Sequence, residues 1–297
     1  MLKLLYFWRR KVSLGESIKD LVKSLKRDVK SIRYTKDYFI ECLEGSPLLI
    51  KENVEKVAFI GDLHGDLKTL LNLSSLYSKE DCLLIFLGDY VDRGPYQLET
   101  LLGVLILKQR FKERVIILRG NHEHSWMNFH YGFIMELNSK LGSEWKLFYK
   151  EFVLEVYKSL PIAVLITVDK KRIFGVHGGI PITIPSLRDI SMIDLVEDVF
   201  ENPLLMQMLW NDPSEEVDTF APSVRGEGVY YFGRKVLEPF LSKNRINLVV
   251  RAHEPVASGV QALFNRKLFT VFSCRYYGIT PALLEINSSS ERIVTIS

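Results

Sequence analysis

The run Gly88-Asp89-Tyr90-Val91-Asp92-Arg93-Gly94 sets two carboxylates and a guanidinium between two glycines. It follows Cys82-Leu-Leu-Ile-Phe-Leu87, a short, continuously apolar stretch that reads as a fully buried strand. In an open α/β sheet such a turn lies at the carboxyl end of a strand, where ligands bind. Three charges there are costly to bury without partners. Taken alone, the run equally fits a solvated acidic turn in which glycine supplies backbone freedom. Other strand ends break the tie. Val57-Ala-Phe-Ile60 runs into Gly61-Asp62-Leu63-His64-Gly65, and Val115-Ile-Ile-Leu118 into Arg119-Gly120-Asn121-His122-Glu123. Phe174-Gly-Val leads to His177-Gly178-Gly179, and Val249-Val to Arg251-Ala252-His253-Glu254. One histidine at a strand end is commonly a hydrogen-bonded structural residue. Five strand ends that each present Asp, His or Asn beside a small residue need another explanation.

The chemistry points to metal. Carboxylates and imidazoles without cysteine suit borderline divalent ions such as manganese, iron or zinc. Asp62, His64, Asp89, Asn121, His177 and His253 are too many for one open catalytic ion. They suit two ions that share a bridging carboxylate. Two ions roughly 3.5–4 Å apart are a common solution for hydrolysing phosphate esters, because they acidify a bridging water and clamp the attacking and leaving oxygens. Arg93 and Arg225 fit forked contacts to phosphate oxygens. His122 fits a general acid, with Asp92 orienting it and stabilising its charged form.

These motifs resemble those of the metallo-dependent phosphoprotein phosphatase family. Gly61 to Gly65, Gly88 to Gly94 and Arg119 to Glu123 match its first three motifs, which also mark a wider superfamily that includes nucleases and nucleotide hydrolases. His177-Gly-Gly179, Leu209-Trp-Asn-Asp-Pro213, Arg225-Gly226 with Phe232-Gly233, and Arg251 to Glu254 look specifically like serine/threonine phosphatases of types 1 and 2A. The resemblance spans roughly Cys42 to Leu284. It implies a central β-sandwich of two mixed sheets flanked by helices, with the site at the strand carboxyl ends. It also implies one ion held by Asp62, His64 and Asp89, and a second by Asp89, Asn121, His177 and His253. His122 and Asp92 would form the acid pair, while Arg93, Arg225, Asn121 and Tyr277 would meet phosphate. The family's Phe-Ser-Ala-Pro-Asn-Tyr-Cys loop reads Phe272-Ser-Cys-Arg-Tyr-Tyr-Gly278 here. With glycine at 278, covalent toxin capture at that position is excluded. The altered loop and the short chain resemble an archaeal or bacterial branch, and no regulatory tail is evident after the last strand.

These groups must be positioned by alternating elements. Strands at Val57–Ile60, Cys82–Leu87 and Val115–Leu118 alternate with helices at Leu67–Tyr77 and after Pro95, the pattern of right-handed βαβ units. A helix is expected over Ser143–Lys158. Later strands are expected at Ala163–Val168, Arg172–Val176, Asn244–Arg251, Lys267–Ser273, Pro281–Ile286 and Arg292–Ile296, the last two as a hairpin. Glu16–Leu43 reads as one amphipathic helix, with Ile18, Leu21, Leu25, Val29 and Ile32 on its apolar face and a basic outer face. A core-docked helix is the simpler reading; a membrane-surface or nucleic-acid contact is the alternative. Residues 1–45 are therefore expected to form a basic helical segment packed on a catalytic domain of residues 46–297, one domain overall.

Composition bounds the rest. The 297 residues carry a net charge of +3, too mild to argue for nucleic acid. Three scattered cysteines in apolar surroundings suggest reduced thiols and a cytoplasmic protein. Met1 to Trp8 is apolar ahead of Arg9-Arg10-Lys11, the reverse of a signal peptide's order, and no apolar run approaches a membrane span. The expected function is dephosphorylation of phosphoserine or phosphothreonine in proteins, by direct attack of a water bridging two divalent ions, manganese first among them. Phosphoprotein substrates and a regulatory or targeting protein are the expected partners. A diadenosine tetraphosphatase on the same fold and a non-catalytic phosphatase-like adaptor are the alternatives.

Overall fold

A computed structural model of the chain describes residues 12–296. The reading of Met1 to Lys11 therefore lies outside the described residues. Two mixed sheets pack face to face. One has six strands in the order β1 (Leu48–Lys51), β5 (Ala163–Val168), β6 (Lys171–Val176), β10 (Leu248–Arg251), β12 (Leu268–Val271) and β11 (Val260–Leu263). The other has five, in the order β14 (Glu291–Thr295), β13 (Ala282–Asn287), β2 (Lys56–Ile60), β3 (Leu83–Phe86) and β4 (Val115–Ile117). A small third sheet orders β7 (Asp212–Pro213), β9 (Tyr230–Phe232) and β8 (Phe220–Pro222).

The alternation of side chains explains why both sheets are apolar on both faces. Val57 and Phe59 of β2 point into the sandwich and meet Ile173, Val250 and Phe269 of the six-stranded sheet. Ala58 and Ile60 of the same strand point outward, into a layer built from α1 (Leu14–Arg27), α2 (Arg33–Ile40), α3 (Leu67–Leu76), α4 (Gln97–Phe111) and, beyond α5 (Ser125–Tyr131), α6 (Phe133–Leu141) and the chain after it. The six-stranded sheet is covered on its outer face by helices Leu187–Ser191, Pro203–Trp210 and Arg234–Asn244. The expected sandwich flanked by helices is the fold observed. Among the described residues, no helix is long and apolar enough to cross a membrane.

Three expectations are corrected. The helix read as Glu16–Leu43 is two helices, because Asp28 is extended at φ −153° and its carboxylate accepts from the Lys30 N–H, a local bond that competes with the helix. The strand read as Asn244–Arg251 begins at Leu248, since Asn244 ends a helix that Arg245 closes in the left-handed conformation. The helix read as Ser143–Lys158 contains a π-helical turn at Tyr149–Val153, with consequences for the site.

α1 is docked on the core through its apolar stripe. A capping box of Ser13 and Glu16 starts it, and Ile18, Leu21, Val22 and Leu25 are buried. It packs against Gly103 of α4, where an added Cβ would stand 3.0 Å from Ile18 Cδ1 and 2.6 Å from Leu70 Cδ2. Lys19, Lys23, Lys26 and Arg27 face outward and are exposed. Cys82 and Cys274 are free of disulfides and buried, and burial pushes each thiol up to about 12, which makes them poor nucleophiles. Truncating Ile18 to alanine should cost about 2–4 kcal/mol in denaturant melts, as for other buried aliphatic side chains. Lys23→Gln should stay within about 0.5 kcal/mol, as expected of a surface change.

Candidate metal and phosphate site

β2, β3 and β4 of one sheet and β6, β10 and β12 of the other end at the same edge of the sandwich, so both sheets feed polar residues to one place. β2 delivers Asp62 and His64, β3 delivers Asp89, Asp92 and Arg93, and β4 delivers Asn121 and His122. β6 and β10 deliver His177 and His253. The sheets nearly touch here. A Cβ on Gly61 would fall 2.1 Å from Val271 O, and Asp62 bridges to Phe272. Gly88, at φ 116°, lies so close to Gly120 that a Cβ would meet its nitrogen at 2.4 Å. His64, Asp89, Asp92, Arg93 and His253 all adopt φ between 44° and 72°, a conformation that costs non-glycine residues on the order of 1 kcal/mol or more each. The result is a cavity of about 300 Å³ whose floor holds Asp62, His64, Asp89, Asn121, His122 and His253, with Arg93, Arg225 and Tyr277 at its walls. His177 is fully buried beneath it.

The floor is a set of converging acceptors. His64 Nδ1 lies 2.8 Å from Val91 O and must donate to it, so Nε2 presents a lone pair. That lone pair faces Asp62 Oδ2 and Asp89 Oδ2, each at 3.5 Å. His177 repeats the pattern: Nδ1 donates to Leu87 O at 3.0 Å, and Nε2 faces Asp89 Oδ1 at 3.4 Å and Asn121 Oδ1 at 2.9 Å. His253 Nδ1 is also 2.9 Å from Asn121 Oδ1. Lone pairs and carboxylates aimed at one another repel unless a cation lies between them, so these residues fit divalent ions. Asp89 sends one oxygen toward each histidine set. His64, Asp89 and His122 form one group with ligand atoms within 4.8 Å of one another; Asp89, His177 and His253 form a second.

Electrostatics agree with a site that wants positive charge. Burial raises the Asp89 carboxyl well above the carboxylate range, and the neighbouring Asp62 and Glu123 add to the shift. Burial would also raise Asp62, but the neighbouring imidazoles of His64 and His177 and the His253 N–H outweigh it and hold that carboxyl at about 2. Burial depresses His177 to about 4 and drives His253 well down, with Arg225 adding to the latter. Neutral imidazoles of this kind are ready-made ligands.

His122 is held differently. Its Nδ1 lies 2.8 Å from Asp92 Oδ2, while Asn128 Nδ2 donates to the same oxygen at 3.0 Å and the Phe133 N–H to Oδ1 at 3.2 Å. Burial raises Asp92 to about 6 and lowers His122 well below its ordinary value, with the fields of His64 and Arg93 adding to the drop. Asn128 also donates to His122 O, and its own carbonyl accepts from Tyr149 and Tyr157 hydroxyls at 2.9 and 3.0 Å. Eight residues along a regular α-helix turn the side chain by about 80° off register, so both tyrosines could not reach one amide. The π turn between them absorbs about one residue and brings them to one face.

The arginines are also placed by partners. The Arg93 guanidinium lies 4.7 Å from the Tyr131 ring centroid and 6.0 Å from that of Tyr277. Arg225 Nε donates to Asp212 Oδ2 at 2.5 Å, and the other oxygen of Asp212 accepts from the fully buried Arg251 at 2.8 Å. Every residue singled out in the sequence is thus brought to this cavity or directly beneath it.

Several supporting residues were missed. Asp212 and Glu123 lay inside motifs without being given a role. Glu123 accepts from the N–H groups of Asp89, Tyr90 and Gly120, and so fixes the turn after β3; burial raises it to about 7. The sequence signal for these two was their place beside Asn121, His122 and Trp210. Asn128, Tyr149 and Tyr157 gave none, because a polar residue within helix spacing resembles a solvated one.

Comparison with known proteins follows the same line. The family model described as calcineurin-like phosphoesterase matches residues 55–257. The serine/threonine-protein phosphatase 4 catalytic subunit of Candida glabrata is 36% identical over 86% of this chain and 83% of its own. A protein phosphatase 2A catalytic subunit of Dictyostelium discoideum is 35% identical over 82% of this chain and 80% of its own. A solved serine/threonine phosphatase from Saccharomyces cerevisiae, described as similar to human phosphatase PP5, superposes with a TM-score of 0.78 at 27% identity, covering 94% of this chain and 90% of that one. These relatives are eukaryotic, so the archaeal or bacterial branch suggested by the altered loop finds no support among them.

The Asn128 hub makes a testable statement. Asn128→Ala leaves two buried tyrosine hydroxyls and Asp92 short of a partner, and should cost about 1–3 kcal/mol in denaturant melts. Tyr157→Phe should cost less, because Tyr149 still donates to the amide. Equal losses for the two variants would contradict the network.

Proposed function

Because the chain belongs to the calcineurin-like phosphoesterase family, we propose that it is a serine/threonine protein phosphatase, hydrolysing phosphomonoesters of phosphoproteins. The observation that carries this is the convergence of acceptors around Asp89: one carboxylate oxygen faces His64 Nε2, which also faces Asp62, and the other, which accepts the His122 N–H, faces His177 Nε2. One divalent ion would sit with Asp62, His64 and Asp89, and a second with Asp89, Asn121, His177 and His253. Bound there, two such ions would supply an acidified water and Lewis acidity at the phosphoryl group. Manganese is our first expectation, with iron and zinc as alternatives.

The chain's own groups then have separate work. Arg93 and Arg225 grip the phosphate, and each is held by a partner that limits its freedom, Tyr131 and Asp212 respectively. Asn121 and Tyr277 complete the phosphate's surroundings. His122 gives its proton to the leaving seryl or threonyl oxygen, while Asp92 keeps the ring oriented and stabilises its charged form. Such an acid must be protonated to act, and burial works against that while the field of Asp62 works for it; the Asp92 carboxylate, 2.8 Å from Nδ1, orients the ring. Cys82 and Cys274 are buried and their thiols raised, so neither serves as a nucleophile.

We read residues 46–297 as the catalytic domain with the preceding helical segment docked on it, in a cytoplasmic protein. The relatives are named catalytic subunits, and a regulatory or targeting protein is accordingly our expected partner beside the phosphoprotein substrate.

Two measurements test this. Side by side, a phosphoserine peptide should be turned over and diadenosine tetraphosphate should not; the reverse preference would make the chain a nucleotide hydrolase. His122→Asn should lower kcat on that peptide by about 10²–10⁴-fold, the range for a general acid. The loss should be smaller on p-nitrophenyl phosphate, whose leaving group needs little protonation. Near-normal turnover of the peptide by the variant would remove His122 from the mechanism.

A further inference from the structure

The loop from β12 to β13 departs most from the family pattern, and it is the loop that presents Tyr277. Its base is fixed by Ser273, whose hydroxyl accepts from the Gly61 N–H at 3.0 Å and donates to Ala282 O at 2.7 Å. Beneath it Cys274 packs with Phe272 and Val256 in a small apolar cluster. Arg275 stands where the family pattern has proline, and it reaches across to the start of α3. Its Nε lies 3.0 Å from both oxygens of Asp66, its backbone N–H donates to Asp66 Oδ2 at 3.0 Å, and its Nη2 donates to Thr69 Oγ1 at 2.8 Å.

Asp66 is fully buried and is also the N-cap of α3, accepting from the Thr69 N–H at 3.0 Å and from its hydroxyl at 2.6 Å. A buried carboxylate saturated by four donors is a stiff anchor. Beyond Arg275 the chain makes a single 3₁₀ turn, Arg275–Tyr277, closed by the Gly278 N–H on Arg275 O at 3.2 Å. Tyr277 is thus carried by a turn whose first residue is the latched one. Its ring stands 6.0 Å from the Arg93 guanidinium and 6.0 Å from the His64 ring.

We propose that Arg275 is a positioning residue: its ion pair with Asp66, reinforced by Thr69, fixes the Tyr277 ring over Arg93 and thereby sets phosphoester affinity. The proposal rests on the phosphatase reading and on Tyr277 meeting the phosphate. Arg275 is not a third phosphate cation, because its guanidinium is committed to Asp66 and Thr69 and does not line the cavity. It acts on binding, through the loop, and leaves the proton transfer at His122 untouched.

The test is a kinetic cycle on a phosphoserine peptide with Arg275→Ala, Arg275→Lys, Tyr277→Ala and the Arg275→Ala/Tyr277→Ala double variant. Arg275→Ala should raise KM about three- to tenfold, the scale of one charged hydrogen bond lost from a positioning contact, with kcat within about twofold. Arg275→Lys should recover part of that loss, since an ammonium still pairs with Asp66 but lacks the fork. The double variant should be no worse than Tyr277→Ala alone, which a merely destabilising role for Arg275 would not produce. Should Arg275→Ala fail to fold, Arg275→Gln carries the same expectation. Multiplying effects in the double variant, or an unchanged KM in Arg275→Ala beside a raised KM in Tyr277→Ala, would overturn the latch. An unchanged KM in Tyr277→Ala would overturn the placement of Tyr277 at the phosphate, and the latch with it.

Discussion

Four buried carboxylates at one end of a β-sandwich set the terms for everything around them. Asp62, Asp89, Asp92 and Glu123 are at most 1% exposed, and each would be costly to bury as an isolated charge. Each is matched to its own donors. Glu123 takes three backbone N–H groups of the two turns it joins, and Asp92 takes His122, Asn128 and the Phe133 N–H. Asp62 takes the His253 N–H, and Asp89 takes that of His122. The oxygens left over on Asp62 and Asp89 point at imidazole lone pairs. Protein donors thus neutralise the periphery of the charge cluster and leave its centre to cations.

That arrangement explains the backbone cost. Two sheets must bring six strand ends within reach of one cavity, and five site residues are held in the left-handed conformation to do so. Such strain persists only where the surroundings over-determine it. Here the two tight glycine contacts, the Asp62–Phe272 bridge and the Glu123 ties supply that determination. The outer layers serve the same end: the helical layer carries Asn128 and its two tyrosines to Asp92, and the small third sheet carries Asp212 to Arg225.

Much of this was legible in the sequence. Continuous apolar runs ending in Gly-Asp, Gly-Asn-His or Val-His announced strands buried on both faces with polar groups at their ends, and nine of the eleven residues brought to the cavity stand at those ends; Arg225 does not, and Tyr277 and the packing of the two sheets were marked by the family resemblance. The limits have physical causes. The left-handed φ of Asp89 or His253 leaves no mark on residue type, because these residues are chosen for their side chains. The break at Asp28 is a contest between one side chain and the helix, which periodicity does not register. The π turn at Tyr149–Val153 has no composition of its own, yet it decides whether both tyrosines reach Asn128. The link from Arg275 to Asp66 spans two distant elements and appears only once β12 and α3 are adjacent.

The most direct test of the central claim is to titrate manganese into chelator-stripped protein while following both bound metal and turnover of a phosphoserine peptide. The account predicts two ions per chain, with turnover rising as the second binds and both lost in Asp89→Asn. Turnover undiminished in the stripped protein, or no binding at all by the wild-type chain, would contradict the reading of the converging acceptors as a two-cation centre.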